Sequence, residues 1–378
     1  MRAPAHAHAH ALALLLIALA PRFADATATW CVHDSTQLRQ ALADAATSPE
    51  DDEIRIREGV YAGDDGAFAY TSRNTASLAI SGGWYSDGSG DCAQMRADAS
   101  RTVIDGAGVR QALHIYHMPP VGTARAASLS IANLSLRNGF GDPALFQRGG
   151  GLEVNSLSEA WTELHLDNLV VAGNDGYFAG GADLYTKNGS VRIAGSLFDA
   201  NRASTTASAQ LSISTSTNAD TTQNIVITHS TFVRGRCAQL GGRGCGVRVG
   251  LVPDTHLDIR NSLFFDNAGS DLDVEGSLQI GGGSASADSS LIEHIGGSLP
   301  LDAQRPLEGD PRFVDAANGN FRLRDDSPFI NLGLTPSPDY PLASTDLDGS
   351  LRMRFDAPDP GAYENQTWDF LFADGFER

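Results

Sequence analysis

The chain predicts an all-β fold, a solenoid of short parallel strands wound coil upon coil with a short helix capping its N-terminal end. Three observations carry this. A stretch of eleven residues recurs five times without gaps. Glycine supplies 40 of 378 residues, while aromatics make up only 7%. Short runs in which apolar residues alternate with polar ones follow one another with no sustained helical period, which points to a repeat architecture rather than separate domains.

The first 26 residues, MRAPAHAHAHALALLLIALAPRFADA, stand apart from the fold. Arg2 precedes an apolar run from Ala11 to Ala20, and small residues follow at Ala24 and Ala26, the arrangement of a secretory signal. The run is about half the length a bilayer span needs. The mature protein is therefore expected to be secreted or held at the outer cell surface, with no transmembrane segment. Next, residues 35–46, STQLRQALADAA, place Leu38, Ala41, Leu42 and Ala45 on one helical face. Such a helix suits the cap that a solenoid needs to keep its terminal strand from pairing with other chains.

The five repeats are LSIANLSLRNG from Leu129, LHLDNLVVAGN from Leu164, VRIAGSLFDAN from Val191, IVITHSTFVRG from Ile225 and LDIRNSLFFDN from Leu257. Their first column is Leu129, Leu164, Val191, Ile225 and Leu257, and their third is Ile131, Leu166, Ile193, Ile227 and Ile259. Alternation of this kind turns both columns inward from a strand. The eighth column, Leu136, Val171, Phe198, Phe232 and Phe264, forms a second apolar file. The fifth, Asn133, Asn168, Gly195, His229 and Asn261, is expected to stack side-chain amides as a ladder, interrupted by Gly195 and His229. The eleventh, Gly139, Asn174, Asn201, Gly235 and Asn267, holds the residues that enter the left-handed region most cheaply, so a turn is expected there.

Successive repeats begin 35, 27, 34 and 32 residues apart, enough for one coil of short strands and loops. Further strands are expected at GLEV, ADLY, LSIS, GVRV and DLDV. Ten or so layers at roughly 4.8 Å each would give a length of about 50 Å.

Charge and cysteine content bound the function. The chain carries 27 basic and 46 acidic residues, a formal charge of −19, which becomes −20 once Arg2, Arg22 and Asp25 leave with the signal. This excess argues against nucleic acid or an anionic membrane as partner. Cys31, Cys92, Cys237 and Cys245 are even in number, which in an exported chain favours two disulfides. Three pairings exist on paper. The local choice joins Cys31 to Cys92 and Cys237 to Cys245. The nearby histidines do not give zinc spacing.

The repeats, the opening helix, IRIREGVY, LAISGGWYSDGSGDC and RTVIDGAG together resemble the right-handed parallel β-helix superfamily that includes pectate lyases and many exported bacterial proteins. The stretch DPRFVDAANGNFRLRDDSPFINLG, from Asp310, with STDLDGSLRMRFDAPDPGAYE closely resembles the C-terminal module called choice-of-anchor Q; Asn331 departs from the aspartate usual there. The resemblance implies terminal coils and a cap on a surface-attached or released protein. The tail WDFLFADGFER resembles short endings of exported Gram-negative proteins, which implies a sorting role; an aromatic strand lying over the cap is the alternative reading. The expected organisation is a signal at 1–26, a β-helix with its cap at 27–309, the terminal module at 310–364 and a tail at 365–378.

Two outward clusters are candidates for chemistry. His165, Asp167 and Arg192 lie on adjacent repeats. An imidazole steered by a carboxylate beside a guanidinium could remove a proton next to a sugar carboxylate and hold the developing charge. Glu153 and Asp183, read as outward in GLEV and ADLY, could act as acid and nucleophile in glycoside hydrolysis or hold calcium. No phosphate-binding glycine loop, G-x-S-x-G or H-E-x-x-H occurs, and no other cofactor is expected. Asp346 and Asp348 in the D-x-D-G stretch read as turn and capping groups. The leading expectation is a non-catalytic surface or secreted protein that contacts a polysaccharide or cell-surface glycan. A polysaccharide lyase or glycoside hydrolase is the alternative.

Overall fold

The computed structural model describes residues 27–120, 127–156, 161–205, 208–216, 222–238, 244–276, 282–337, 340 and 342–367. The leader at 1–26 and the tail from Trp368 lie outside them. The chain winds as a right-handed parallel β-helix with three faces. The first face runs from Thr27–Val32 through Asp51–Arg57 and Leu78–Tyr85 to Asp302–Gln304. The second includes Leu197–Asp199, Thr231–Val233 and Leu263–Phe265 and continues the same sheet around a corner. The third is a separate sheet of eight strands among the described residues, from Ala69–Ser72 to Ile295–Gly297.

The third repeat column is a single interior file. Trp30, Ile54, Ile80, Ile131, Leu166, Ile193, Ile227, Ile259 and Ala287 follow one another in parallel register, and Ala303, exposed at the far end, closes the run. Ile131, Leu166, Ile193, Ile227 and Ile259 are fully buried. Each such side chain withdrawn from water contributes about 1.5–3 kcal/mol, so the file holds the coils in one register. The eighth column forms a second file, in which Phe232 stacks between Phe198 and Phe264 with ring centroids 4.9 and 4.7 Å away.

The two corner columns exchange the roles expected of them. The fifth column takes the left-handed conformation, with φ of +58° at Asn133, +51° at Asn168, +60° at Gly195, +46° at His229 and +49° at Asn261. At the far corner the left-handed residue sits one place before the eleventh column, at Asn138, Gly173, Ala200, Arg234 and Asp266. The eleventh column is instead the amide ladder. Asn174 Nδ2 donates to Leu136 O at 3.1 Å and to Asn201 Oδ1 at 2.9 Å, and Asn201 Nδ2 donates to Val171 O at 2.9 Å. Where Gly235 leaves a gap, Gln210 reaches in: its Nε2 donates to Val233 O and, at 3.4 Å, to Asn267 Oδ1. A one-residue left-handed corner turns its side chain out of the core, whereas the residue after the wider turn points back in beneath unpaired carbonyls.

A serine ladder follows the first corner. Ser230, Ser262 and Ser290 accept from the backbone N–H of Ser196, Ser230 and Ser262 at 3.0–3.3 Å, and each hydroxyl donates to the carbonyl two residues back.

The helix Ser35–Ala45 caps the first coils as expected. Asp34 accepts from Gln37 N at 2.8 Å, and Leu38, Ala41, Leu42 and Ala45 are buried against the core. Cys31 is bonded to Cys92 and Cys237 to Cys245. Among the described residues no helix is long and apolar enough to cross a membrane.

The described part of residues 310–364, expected as terminal coils and a cap, lies along the flank. Phe313–Asp315 and Asn320–Leu323 form an antiparallel hairpin. Phe321, Leu347, Ala362 and Tyr363 pack on Val170, Leu197 and Val233, while Leu323, Phe329 and Ile330 pack on Leu263 and Leu291. The second face is apolar on its outer side as well as its inner side, so something must cover it. Polar contacts fix the strap. Arg234 donates to both carboxylate oxygens of Asp199 at 2.7 and 2.6 Å and to Ala316 O at 2.8 Å. Ala362 N donates to Thr231 Oγ1 at 3.0 Å. Buried Arg352 donates to Gly361 O and Ala362 O at 3.0 and 2.6 Å.

Candidate functional site

On the third face, alternate residues point away from the core. One outward column runs His114, Glu153, Asp183, Ser212, Arg248 and Asp273; its neighbour runs Tyr116, Asn155, Tyr185, Ser214, Gly250 and Glu275. Glu153 and Asp183 are thus one layer apart, but they are 7% and 2% exposed rather than open on the strand. The segment around Arg148 folds over them. Glu153 Oε2 accepts from Gln111 Nε2 at 2.6 Å and from Arg148 N at 2.9 Å. Asp183 accepts from Arg148 Nε at 2.6 Å. Burial raises the Asp183 carboxyl above its ordinary range, opposed by the Arg148 guanidinium. Donors, one of them cationic, surround both acids, and this arrangement suits carboxylates that anchor a loop.

The glycines before these strands serve close approach rather than left-handed turns. A Cβ at Gly149, Gly150 or Gly181 would overlap the carbonyl oxygen of Leu152, Asp175 or Gln210. Such contact lets the segment reach across the face, where Arg148 also lies over the Phe178 ring at 4.2 Å.

The neighbouring column is open. Tyr116, Asn155 and Tyr185 are half-buried on three successive layers, so the two tyrosines stand roughly 9.5 Å apart. Tyr185 Oη donates to Ser216 Oγ at 3.1 Å, and Asn155 Oδ1 is buried with no partner among the described residues. The sequence reading did not single out these three residues. The available signal was their position two places beyond His114, Glu153 and Asp183 in HIYH, LEVN and ADLY.

On the first face, His165 pairs in register with Arg192, and Asp167 with Ala194. Arg192 Nη1 lies 3.1 Å from Asp167 Oδ2, so this pair meets. His165 Nε2 instead lies 3.6 Å from Glu163 Oε2. Asp167 and Arg192 line a notch of about 220 Å³ with Asn168, Gly195, Thr228, His229 and Arg352; His165 is not among its lining residues. Burial raises the Asp167 carboxyl above its ordinary range, with Arg192 opposing. His229 lies beneath, almost fully buried. Burial holds its imidazole well below the ordinary range, and Nε2 accepts from Asn261 Nδ2 at 3.0 Å. Nδ1 therefore carries the proton toward Thr228 Oγ1 and Tyr340 Oη, 3.0 and 2.9 Å away.

Other polar clusters serve the fold. Cys31, His33 and Asp91 lie close enough to share an ion, but the Cys31 sulfur is bonded to Cys92. A larger cleft, about 740 Å³, opens within the C-terminal strap. Its charged rim is largely paired internally, with Arg322 and Asp348 2.5 Å apart and Arg324 and Asp326 3.1 Å apart.

No protein-family model and no curated protein matches the chain. Among solved structures, the crystal structure of pectate lyase Pel9A aligns over 86% of this chain and 90% of its own, with 13% sequence identity and a TM-score of 0.39.

Proposed function

We propose that this is an exported β-helix protein that binds a polysaccharide or cell-surface glycan along the outer side of its third face without cleaving it. The supporting observation is the open column of Tyr116, Asn155 and Tyr185 beside carboxylates that are already bound by Arg148 and Gln111. Aromatic rings offer apolar area to the faces of sugar rings. The leader-like first 26 residues, the anchor-like sequence from Asp310 and the terminal tail support export and display. Both disulfides accord with an oxidising compartment.

Affinity electrophoresis through gels containing acidic or neutral polysaccharides tests this reading. At least one polymer should retard the protein, and Tyr185→Ala should abolish the retardation without new reducing ends or unsaturated products appearing. Retardation that survives Tyr116→Ala and Tyr185→Ala together would refute the assignment of the face.

The second reading, a lyase or hydrolase, draws support from Asp167 and Arg192 meeting in a notch on the first face. Product formation that is lost in Asp167→Asn and Arg192→Gln would favour it.

A further inference from the structure

The two ends of the cylinder are finished differently. At the first, the helix Ser35–Ala45 lies over the core with Leu38, Leu42 and Ala45 fully buried. The other end has no such cover among the described residues, because the strap runs along the flank. The last coil carries Ile295–Gly297 on the third face and Asp302–Gln304 on the first. Each pairs in parallel with the coil before it and, among the described residues, with no strand beyond. The inward positions of this coil therefore look out of an open end. Ile295, in register with buried Leu272, is 47% exposed, and Ala303, in register with buried Ala287, is exposed as well. Together with Leu301 and Pro306 they line a small apolar depression.

The free edge of Asp302–Gln304 has a definite hydrogen-bonding pattern. Gln304 O accepts from Ser289 N of the preceding coil at 3.2 Å, so Gln304 turns its backbone groups back toward the body. Successive residues of a strand alternate in this respect, and the N–H and C=O of Ala303 consequently point out of the end. Strap residues Leu334, Thr335 and Ser337 share a groove with Gln304, yet Asp302, Ala303 and Gln304 all stay exposed. An antiparallel strand centred on Ala303 would engage both of its backbone groups. When that strand is the same segment of a second copy, turned by a two-fold axis, each Ala303 exchanges two hydrogen bonds with its counterpart. Asp302 then stands opposite Gln304, and Arg305 opposite Leu301, so no like charges meet. The same rotation closes one apolar depression over the other, which adds area that a three-residue edge lacks.

We propose that this end is the contact between two copies of the chain, joined tail to tail through Asp302–Gln304 and the apolar depression beside it as a weak, closed dimer. Head-to-tail stacking is blocked. Thr27–Val32 also has a free edge, since it pairs only with Asp51–Arg57 among the described residues. There, however, a helix about 10 Å across stands over the core, and a further coil cannot approach to the roughly 4.8 Å strand spacing across it. Association therefore ends at two copies. The contact does not rest on the reading of the third face.

Sedimentation equilibrium of the full chain between about 1 and about 500 μM tests this contact. The protein should pass reversibly from monomer to dimer with a dissociation constant of about 10–100 μM, in keeping with a small interface. Gln304→Lys sets a cation opposite Asp302 of the second copy, twice over by symmetry, and should tighten the dimer about fivefold, whereas Gln304→Glu should weaken it by about as much. Ala303→Pro removes the outward N–H, a change that an edge strand tolerates, and should leave monomer throughout the range. Tyr185→Ala should change nothing, which keeps failure here apart from failure on the third face. A chain monomeric at every concentration, or a dimer indifferent to both Gln304 variants, would overturn the proposal. So would species larger than a dimer, which would require the helix-capped end. Dimerisation seen only after removal of residues 368–378 would assign this end to the chain's own tail and overturn it too.

Discussion

Asn174 and Asn201 occupy equivalent corners of adjacent coils, and the side-chain amide of each supports the turn of the coil before it: Asn174 accepts from Gly139 N at 2.7 Å and donates to Leu136 O. Asn201 Oδ1 accepts from both Asn174 N and Asn174 Nδ2, at 3.0 and 2.9 Å, while Asn201 Nδ2 donates to Val171 O and to Gln210 Oε1. Both side chains are buried, so every one of these groups would otherwise lack water.

Asn201→Leu should lower stability by about 3 kcal/mol, because it strands the Val171 carbonyl and the Asn174 amide in an apolar setting. Asn168→Gly, at the left-handed outer corner, should change it by no more than about 0.5 kcal/mol. Urea unfolding of the two variants gives the comparison, and equal midpoint shifts would show that the two corners do not divide roles as described.

Phe232 is held between Phe198 and Phe264 in the second apolar file. Phe232→Ala removes a fully buried ring from the middle of the stack and should cost about 3–5 kcal/mol, with Phe232→Leu costing less than half of that. The denaturant midpoints of the two variants should fall in that order.

Arg148 carries the only cation bonded to Asp183 in the described residues. Arg148→Ala should loosen the covering segment and cost about 2 kcal/mol, less than a fully buried pair because the guanidinium is partly exposed. Asp183→Asn should restore part of the loss in the double variant, and hydrogen exchange at residues 141–150 reports the loosening directly. Unchanged exchange in Arg148→Ala would rule out this role.

The strap should be less stable at alkaline pH. Burial raises Asp359 to about 6 and Glu364 to about 8, above the ordinary values of 3.8 and 4.5. Both folded values exceed the unfolded ones, so the folded strap holds protons that the unfolded chain releases. This stabilisation is complete below about pH 4 and is lost as pH rises through 6 and then 8. Glu364→Gln should flatten the upper part of the profile. A local probe is needed, because buried His117, lowered to about 4 at the opposite end, loses stability in the other direction, as pH falls from about 6.5. Amide exchange within residues 346–365 at pH 5 and pH 8.5 makes the measurement, and greater protection at the higher pH would contradict the sign.

By itself the sequence determined the winding of this chain. Inward positions recur with matching apolar residues, and only parallel coils in one register bring Ile131, Leu166, Ile193, Ile227 and Ile259 together. The capping helix was legible because four apolar residues at helical spacing have no other face to bury, and the local disulfide pairs agree with the structure. Tertiary structure decided what the eleven-residue pattern left open. Asparagine and glycine suit both a left-handed turn and a buried ladder, so composition could not assign the fifth and eleventh columns; the direction of each side chain at its corner did so. The reach of Arg148 across Glu153 and Asp183, and the course of residues 310–364 along an apolar flank, join segments distant in sequence, and no local period encodes them. The notch beside Asp167 takes part of its lining from Ala343 and Arg352, which lie far from the repeats in sequence.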